Sequence, residues 1–145
     1  MPALTRRRDR QAHAENWLIF FGDIAVGSIG IRTGVPVHVG QWVWRCGCYP
    51  ATHRGIRAEG TSRDFAQARA DFESAWHELQ PKITEADFTE HRRERAMTAW
   101  KHAMWESGCK LPTQAPDGRS RCICGTEINI KGTEQHVYAE HMEPA

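Results

Sequence analysis

The last 25 residues of the chain contain two cysteines and two histidines at a spacing that restricts how this segment can fold. Cys122 and Cys124 are separated by one residue, His136 follows after eleven more, and His141 comes five positions later. The larger apolar side chains here are Ile123, Ile128, Ile130, Val137, Tyr138 and Met142. They are too few for a core, so order in this segment needs a staple, and a metal ion is the one that the sequence offers.

The ligand types at this spacing are those that Zn²⁺ prefers. Zinc binds four nitrogen or sulfur donors in a tetrahedron, and a hairpin followed by a helix can deliver them. We expect both cysteines on one face of an extended segment, a returning strand at Ile128 and Ile130, and a helix that carries both histidines. The sequence therefore predicts structural Zn²⁺ with the ligands Cys122, Cys124, His136 and His141.

The spacing of the two histidines is unfavourable for a regular helix. Residues five apart point roughly 140° away from each other, so the last turn must widen into a π-like turn or unwind. In the alternative, Glu140 replaces His141 as an oxygen ligand. We favour His141, because imidazole suits zinc better than carboxylate beside two thiolates.

Residues 121–142 resemble the two-cysteine two-histidine zinc finger, in which C-x₂₋₄-C is followed after about twelve residues by H-x₃₋₅-H. The resemblance implies that Cys122, Cys124, His136 and His141 take the ligand positions of a strand-strand-helix fold. Two alternatives stay open, a frayed tail with these residues by coincidence and a catalytic zinc. Four protein ligands leave no open position for water, which favours the structural role.

The preceding part of the chain predicts an α+β fold, with a three- or four-stranded antiparallel meander packed on two helices. Alternating patterns predict strands at 17–21, 24–31 and 41–49, a hairpin turn at Gly22-Asp23, and a short fourth strand at 55–60. Thr61-Ser62 is the expected N-cap of the first helix, which ends before Pro81. Residues 84–87 have the form of a capping box for the second helix, which ends near Gly108.

These patterns divide the chain into four parts. We expect a flexible basic tail at 1–15, the α+β domain at 16–109, a linker at 110–120 that contains Pro112 and Pro116, and the zinc-binding module at 121–145.

A second C-x-C pair, Cys46 and Cys48, lies close in the sequence to His38 and His53. These four residues are the candidate ligands of a second metal site. Both cysteines continue the face of Trp42 and Trp44, and buried thiols behave as small hydrophobic groups. We favour a role in the core.

The net charge of +1 gives no field over the whole molecule that would drive binding to nucleic acid or membrane. Only the first 63 residues are cationic, with nine basic and four acidic groups. In the tail, Arg6, Arg7, Arg8 and Arg10 are candidates for phosphate contacts. The longest apolar run, at 17–21, is too short for a membrane span, and no secretory signal is evident. We expect a cytoplasmic protein whose cysteines are thiols or metal ligands.

Residues 17–108 also resemble small uncharacterised bacterial proteins that have a tryptophan-rich strand region and an alanine-rich helix, a resemblance that implies no activity. No catalytic motif is present, so no catalytic residue is assigned. The sequence predicts a small zinc-binding accessory or regulatory protein that binds nucleic acid or a protein. The alternatives are an interaction adaptor without nucleic-acid affinity, and a small enzyme with its site between sheet and helices that uses His53, His77 or Cys48.

Overall fold

The computed structural model describes residues 3–142 and confirms the α+β fold. Five strands form an antiparallel sheet in chain order: β1 (Leu4–Arg8), β2 (Asn16–Phe21), β3 (Ile24–Ile31), β4 (Trp42–Cys46) and β5 (Ala58–Ser62). Two helices follow, α1 (Phe65–Leu79) and α2 (Glu85–Glu106). The chain then forms a short antiparallel pair, β6 (Arg119–Arg121) and β7 (Glu127–Asn129), and a last helix, α3 (Thr133–Glu140).

The chain forms two compact units, and the boundary between them lies between His91 and Arg92. We call residues 3–91 the N-terminal unit and residues 92–142 the C-terminal unit. The boundaries expected at residues 16, 110 and 121 stay a prediction. Residues 1–2 of the expected tail and residues 143–145 of the expected module lie outside the described residues. No helix in the described part is long and apolar enough to cross a membrane.

Strand β1 is an addition to the three or four strands expected, and it lies in the segment for which the sequence predicts a flexible tail. It pairs with β2 from Leu4 opposite Phe21 to Arg8 opposite Trp17. Its arginines stack on aromatic rings, with the Arg6 guanidinium carbon 4.7 Å from the centroid of Trp17 and that of Arg7 4.8 Å from Phe20. In this strand, arginines stacked on rings take the place of an apolar face. The sequence therefore lacks the alternation of apolar and polar residues by which a strand is predicted.

The hairpin of β2 and β3 follows the expectation, with Gly22 at a φ of 61° in its turn. Gly27 in β3 has a φ of 151°, and a Cβ there would clash with the Arg45 carbonyl oxygen and lie 2.7 Å from the Phe72 ring. The missing side chain therefore lets α1 pack closely against the sheet.

Helix α1 begins later than the sequence predicts. Thr61 and Ser62 belong to β5, and the N-cap is Asp64, whose carboxylate accepts the backbone N–H of Gln67 at 2.8 Å. The helix buries a stripe at three- and four-residue spacing, consisting of Ala68, Phe72, Trp76 and Leu79. This stripe joins Ile19, Ile24, Val26, Ile29, Cys46, Cys48, Ala51, Ile83 and Phe88 in one apolar cluster, the core of the N-terminal unit.

The predicted capping box at the start of α2 is formed. The Thr84 N–H donates to Asp87 Oδ2 at 2.9 Å, and the Asp87 N–H donates to the Thr84 hydroxyl at 3.2 Å. Arg54 adds two hydrogen bonds to the same carboxylate, at 2.8 and 2.9 Å. These donors hold the pKa of Asp87 down at about 2. Beyond the helix, Gly108 has a φ of 71°, as expected of a residue that ends a helix.

Candidate metal centre

The two cysteines of the C-terminal unit lie in the tight turn between β6 and β7. The Gly125 N–H donates to the Cys122 carbonyl at 2.8 Å, and the Cys122 N–H donates to the Thr126 carbonyl at 2.8 Å. Gly125 has a φ of 92°, which favours glycine. The expectation that both cysteines leave one face of an extended strand is therefore wrong. The chain turns at the C-x-C pair, and the turn rather than the pleat brings the two thiols together.

Helix α3 supplies the two histidines, one from inside the helix and one from its end. Its first turn is fixed through Asn129, whose side chain accepts the Gly132 N–H at 2.7 Å and whose carbonyl accepts the Thr133 hydroxyl at 2.7 Å. The helix ends at Glu140, and His141 is the C-cap with a φ of −123°. This change of backbone conformation, rather than a π-like turn, brings the rings of His136 and His141 to a centroid distance of 5.1 Å.

The structure brings all four expected ligand residues together. The thiol sulfurs of Cys122 and Cys124 and one ring nitrogen each of His136 and His141 lie within 4.8 Å of one another. Cys122 Sγ is 3.1 Å from His141 Nε2, and Cys124 Sγ is 3.4 Å from His136 Nε2. A tetrahedral ion with zinc-like bond lengths separates its donors by roughly 3.3 to 3.8 Å. The arrangement is compatible with a bound metal ion.

Glu140 lies outside this group of donors. Glu140 was the alternative ligand because it follows His136 by four residues, but its side chain is exposed and is not among the four gathered donors. The end of the helix before His141 removes the angular difficulty that suggested Glu140. The geometry therefore favours two imidazoles over an imidazole and a carboxylate.

The thiol of Cys124 is prepared to ionise, and the thiolate is the form that binds metals. Hydrogen bonds with Thr126, whose hydroxyl lies 3.4 Å from the sulfur, lower the pKa of Cys124 to about 6. Smaller contributions in the same direction come from His141 and Cys122. The direction of this shift favours the thiolate, which is the form that a metal ligand requires.

A small apolar cluster includes one of the four donors. Its buried members are Trp100 and Met104 of α2 together with Cys122, Ile128 and Val137. The Trp100 indole N–H donates to the Cys122 sulfur at 3.2 Å. The Arg93 guanidinium carbon lies 5.3 Å from the centroid of the Tyr138 ring. The second half of α2 thus packs on the candidate centre, and sequence reasoning missed this because no local spacing connects residue 100 with residue 122.

The other C-x-C pair has no metal-binding arrangement among residues 3–142. Cys46 and Cys48 are buried in the core of the N-terminal unit, and His38 and His53 do not gather with them. Burial raises the pKa of Cys46 to about 12 and that of Cys48 to about 11, with smaller contributions from Cys48 and from Asp87 respectively. Both cysteines are neutral core residues, as the sequence analysis favoured.

The groups considered for an enzymatic site do not converge either. His53 and His77 are exposed, while Cys48 is buried and protonated. A cavity of about 140 Å³ lies between the sheet and α1, in the region that the alternative of a small enzyme would use. Its charged lining residues are Arg6, Arg69 and Glu73, and it is lined by neither cysteine nor histidine. The structure thus assembles donor groups at the C-terminal turn rather than in this cavity.

The basic residues predicted to contact nucleic acid lie at and after β1. Arg6 and Arg7 stack on rings, and Arg8 lies 5.5 Å from the Trp17 centroid and 3.8 Å from Glu15. Arg10 is exposed in the turn that follows. These positions leave the expected phosphate contacts a prediction.

Comparisons with known proteins gave no match, whether with protein-family models, with curated proteins or with solved structures. The candidate centre therefore rests on its own geometry and donor chemistry.

Proposed function

We propose that the C-terminal unit binds one structural Zn²⁺ through Cys122, Cys124, His136 and His141. The observation that carries the proposal is the convergence of two sulfurs and two ring nitrogens within 4.8 Å, from a turn and a helix that are adjacent in the chain. Two thiolates and two neutral imidazoles neutralise a divalent ion. Borderline-soft donors of this kind select zinc over magnesium or calcium.

The zinc has a structural role. Four protein ligands fill a tetrahedron, and catalytic zinc keeps one position for water or substrate. The local need for a staple supports the same role, because five buried side chains form the cluster that includes Cys122. The chain is then a zinc-stabilised accessory or regulatory protein that acts by binding a partner.

The two ends of the chain differ in how well they suit binding to nucleic acid. Helix α3 contains Glu134 and Glu140 and neither lysine nor arginine, so it opposes the phosphate contacts that a groove-binding helix makes. Nucleic-acid binding therefore depends on the arginines of β1. A guanidinium stacked on a ring by its face keeps N–H groups at its edge, and these can still donate to phosphate. If the arginines of β1 make no contact with phosphate, the protein is instead proposed to be an adaptor that binds another protein.

Metal analysis of the purified full chain tests the zinc proposal. We expect about one zinc per chain, falling towards zero in Cys122→Ser and His136→Ala. The matched controls are Cys109→Ser and His102→Ala, which alter a cysteine and a histidine of the same unit outside the donor group. Both controls retain the metal.

X-ray absorption at the zinc edge then identifies the donors. Two sulfurs at about 2.3 Å and two nitrogens at about 2.0 to 2.1 Å are expected. A protein purified without metal that also fails to take up added Zn²⁺ contradicts the proposal. A spectrum dominated by oxygen contradicts the ligand assignment.

A further inference from the structure

A buried hydrogen bond connects α2 with the candidate centre. The Trp100 indole Nε1–H donates to Cys122 Sγ across 3.2 Å, and the two residues are 22 positions apart in the sequence. Each has only 3% of its surface exposed. The indole N–H is a donor only, and the sulfur is the partner that it finds in this buried place.

The two sulfurs of the centre lie in different surroundings. Cys124 is exposed, and its sulfur lies 3.4 Å from the Thr126 hydroxyl. Cys122 is buried within the apolar cluster, and the indole N–H of Trp100 in α2 reaches its sulfur there. Hydrogen bonds from groups behind a metal ligand orient that ligand.

We propose that Trp100 is a positioning residue of the metal centre, which aims the Cys122 sulfur through the hydrogen bond from its indole N–H. The inference rests on the proposed zinc site. It goes beyond that site because it makes a residue of α2, outside the segment that resembles a zinc finger, part of the metal-binding machinery.

Burial alone would give Trp100 a different role. A tryptophan that serves only as core contributes area and volume, and its N–H direction is then immaterial. Met104 provides the comparison, since it is fully buried in the same cluster and has no N–H to offer. Trp105 provides the other, since it lies on the same helix with 77% of its surface exposed. Three substitutions therefore distinguish the possible roles. Trp100→Phe removes the hydrogen bond to sulfur, Met104→Ala removes only packing, and Trp105→Phe removes an indole that lies elsewhere.

The first test uses the wild-type chain loaded with ¹¹³Cd, a spin-active substitute for zinc. A hydrogen bond to a metal-bound sulfur transmits scalar coupling from the metal to the donated proton. We expect one cadmium–proton correlation to an indole N–H resonance, which is absent in Trp100→Phe and present in Trp105→Phe. Cadmium bound with no indole correlation overturns the inference and leaves the zinc site intact. Failure of the wild-type chain to bind Cd²⁺ or Zn²⁺ overturns both.

The second test uses Co²⁺, whose thiolate-to-metal charge-transfer band reports on the sulfur donors. A hydrogen bond lowers the energy of the sulfur electrons, so its loss in Trp100→Phe moves the band to longer wavelength. Affinity measured by competition with a chromophoric chelator falls about 10- to 100-fold, the usual effect of losing a group that supports a ligand. Trp105→Phe changes neither quantity.

Met104→Ala separates a packing role from donation. It lowers the thermal midpoint because it leaves a cavity, while the charge-transfer band stays at the wild-type wavelength. The inference is overturned if Trp100→Phe leaves the band unmoved, or if Met104→Ala moves it equally. The cadmium experiment on the wild-type chain decides the question if Trp100→Phe fails to fold.

Discussion

The two units of the chain reach order by different routes. The N-terminal unit buries a cluster of thirteen side chains, which come from the five-stranded sheet, α1 and neighbouring segments, and its own apolar content accounts for its fold. The C-terminal unit buries a cluster of five, one of them a candidate metal ligand. If the second unit binds the proposed ion, coordination there does the same physical work as apolar burial in the first, which is to offset the entropy lost on ordering the chain.

Metal removal gives the largest expected difference between the units. Chelation should abolish the order of β6, β7 and α3, since the metal contributes several kcal/mol or more to a fold of this size, whereas the sheet stays folded. Residue-resolved hydrogen exchange measures this, with protection lost at 119–141 and kept at 16–31. Equal loss in both units would show that the N-terminal unit also depends on the metal.

Truncation of the sheet core is the reverse experiment. Phe72→Ala removes a side chain that is 1% exposed and should destabilise the N-terminal unit by about 3 to 5 kcal/mol, with or without metal. Denaturant unfolding measures the change. Val37→Ala is the control, since that side chain is 93% exposed and its loss should be nearly neutral. A cost that appears only in the metal-free protein would contradict the division between the units.

The capping carboxylate of α2 gives a smaller, pH-dependent effect in the N-terminal unit. Since hydrogen bonds hold the folded pKa of Asp87 at about 2, below its ordinary value of 3.8, its contribution is complete above the ordinary value. It is lost as the pH falls through the folded value. Asp87→Asn should cost about 1 to 2 kcal/mol at pH 7 and almost nothing near pH 2.

Denaturation midpoints from pH 2 to pH 7 measure this effect. Glu85→Gln is the control, because Glu85 is an exposed acid in the same first turn. A difference between Asp87→Asn and the wild type that is independent of pH would contradict the assignment.

The smallest expected effect is a change in the salt dependence of nucleic-acid binding. Its measurement tests which of the two units carries a phosphate-binding surface. If β1 and the turn after it supply two contacts, replacing Arg7 and Arg10 by glutamine lowers the salt slope of DNA binding by about 2. Lys110→Gln in the C-terminal unit is the control and leaves the slope unchanged. Absence of wild-type binding to DNA and RNA at 50 mM salt would favour the protein adaptor.

The sequence predicted features that are encoded locally. The hairpin turn at Gly22, the capping box from Thr84 to Asp87 and the glycine after α2 each depend on residues within a few positions of one another. The four candidate ligands belong to the same class, because turn and helix lie within twenty residues. Local spacing therefore carried most of the fold and the composition of the candidate site.

The features that escaped prediction depend on distant partners. The arginines of β1 have no apolar period, and in the fold the strand pairs with β2 and its arginines stack on the rings of Trp17, Phe20 and Phe65. The hydrogen bond from Trp100 to Cys122 spans 22 residues. The N-cap Asp64 competed with two earlier residues of equal capping ability, which β5 had already taken into the sheet.

The asymmetry of the two sulfurs has a consequence for the lifetime of the centre. Cys122 is enclosed beneath an indole, whereas Cys124 is exposed in the turn. An electrophile or oxidant that arrives from the solvent meets Cys124 first. With the proposed ion bound, alkylation or oxidation of that one sulfur would open a coordination position. The residence time of the ion under chemical attack would then be set by Cys124, while Cys122 stays covered until the ion leaves.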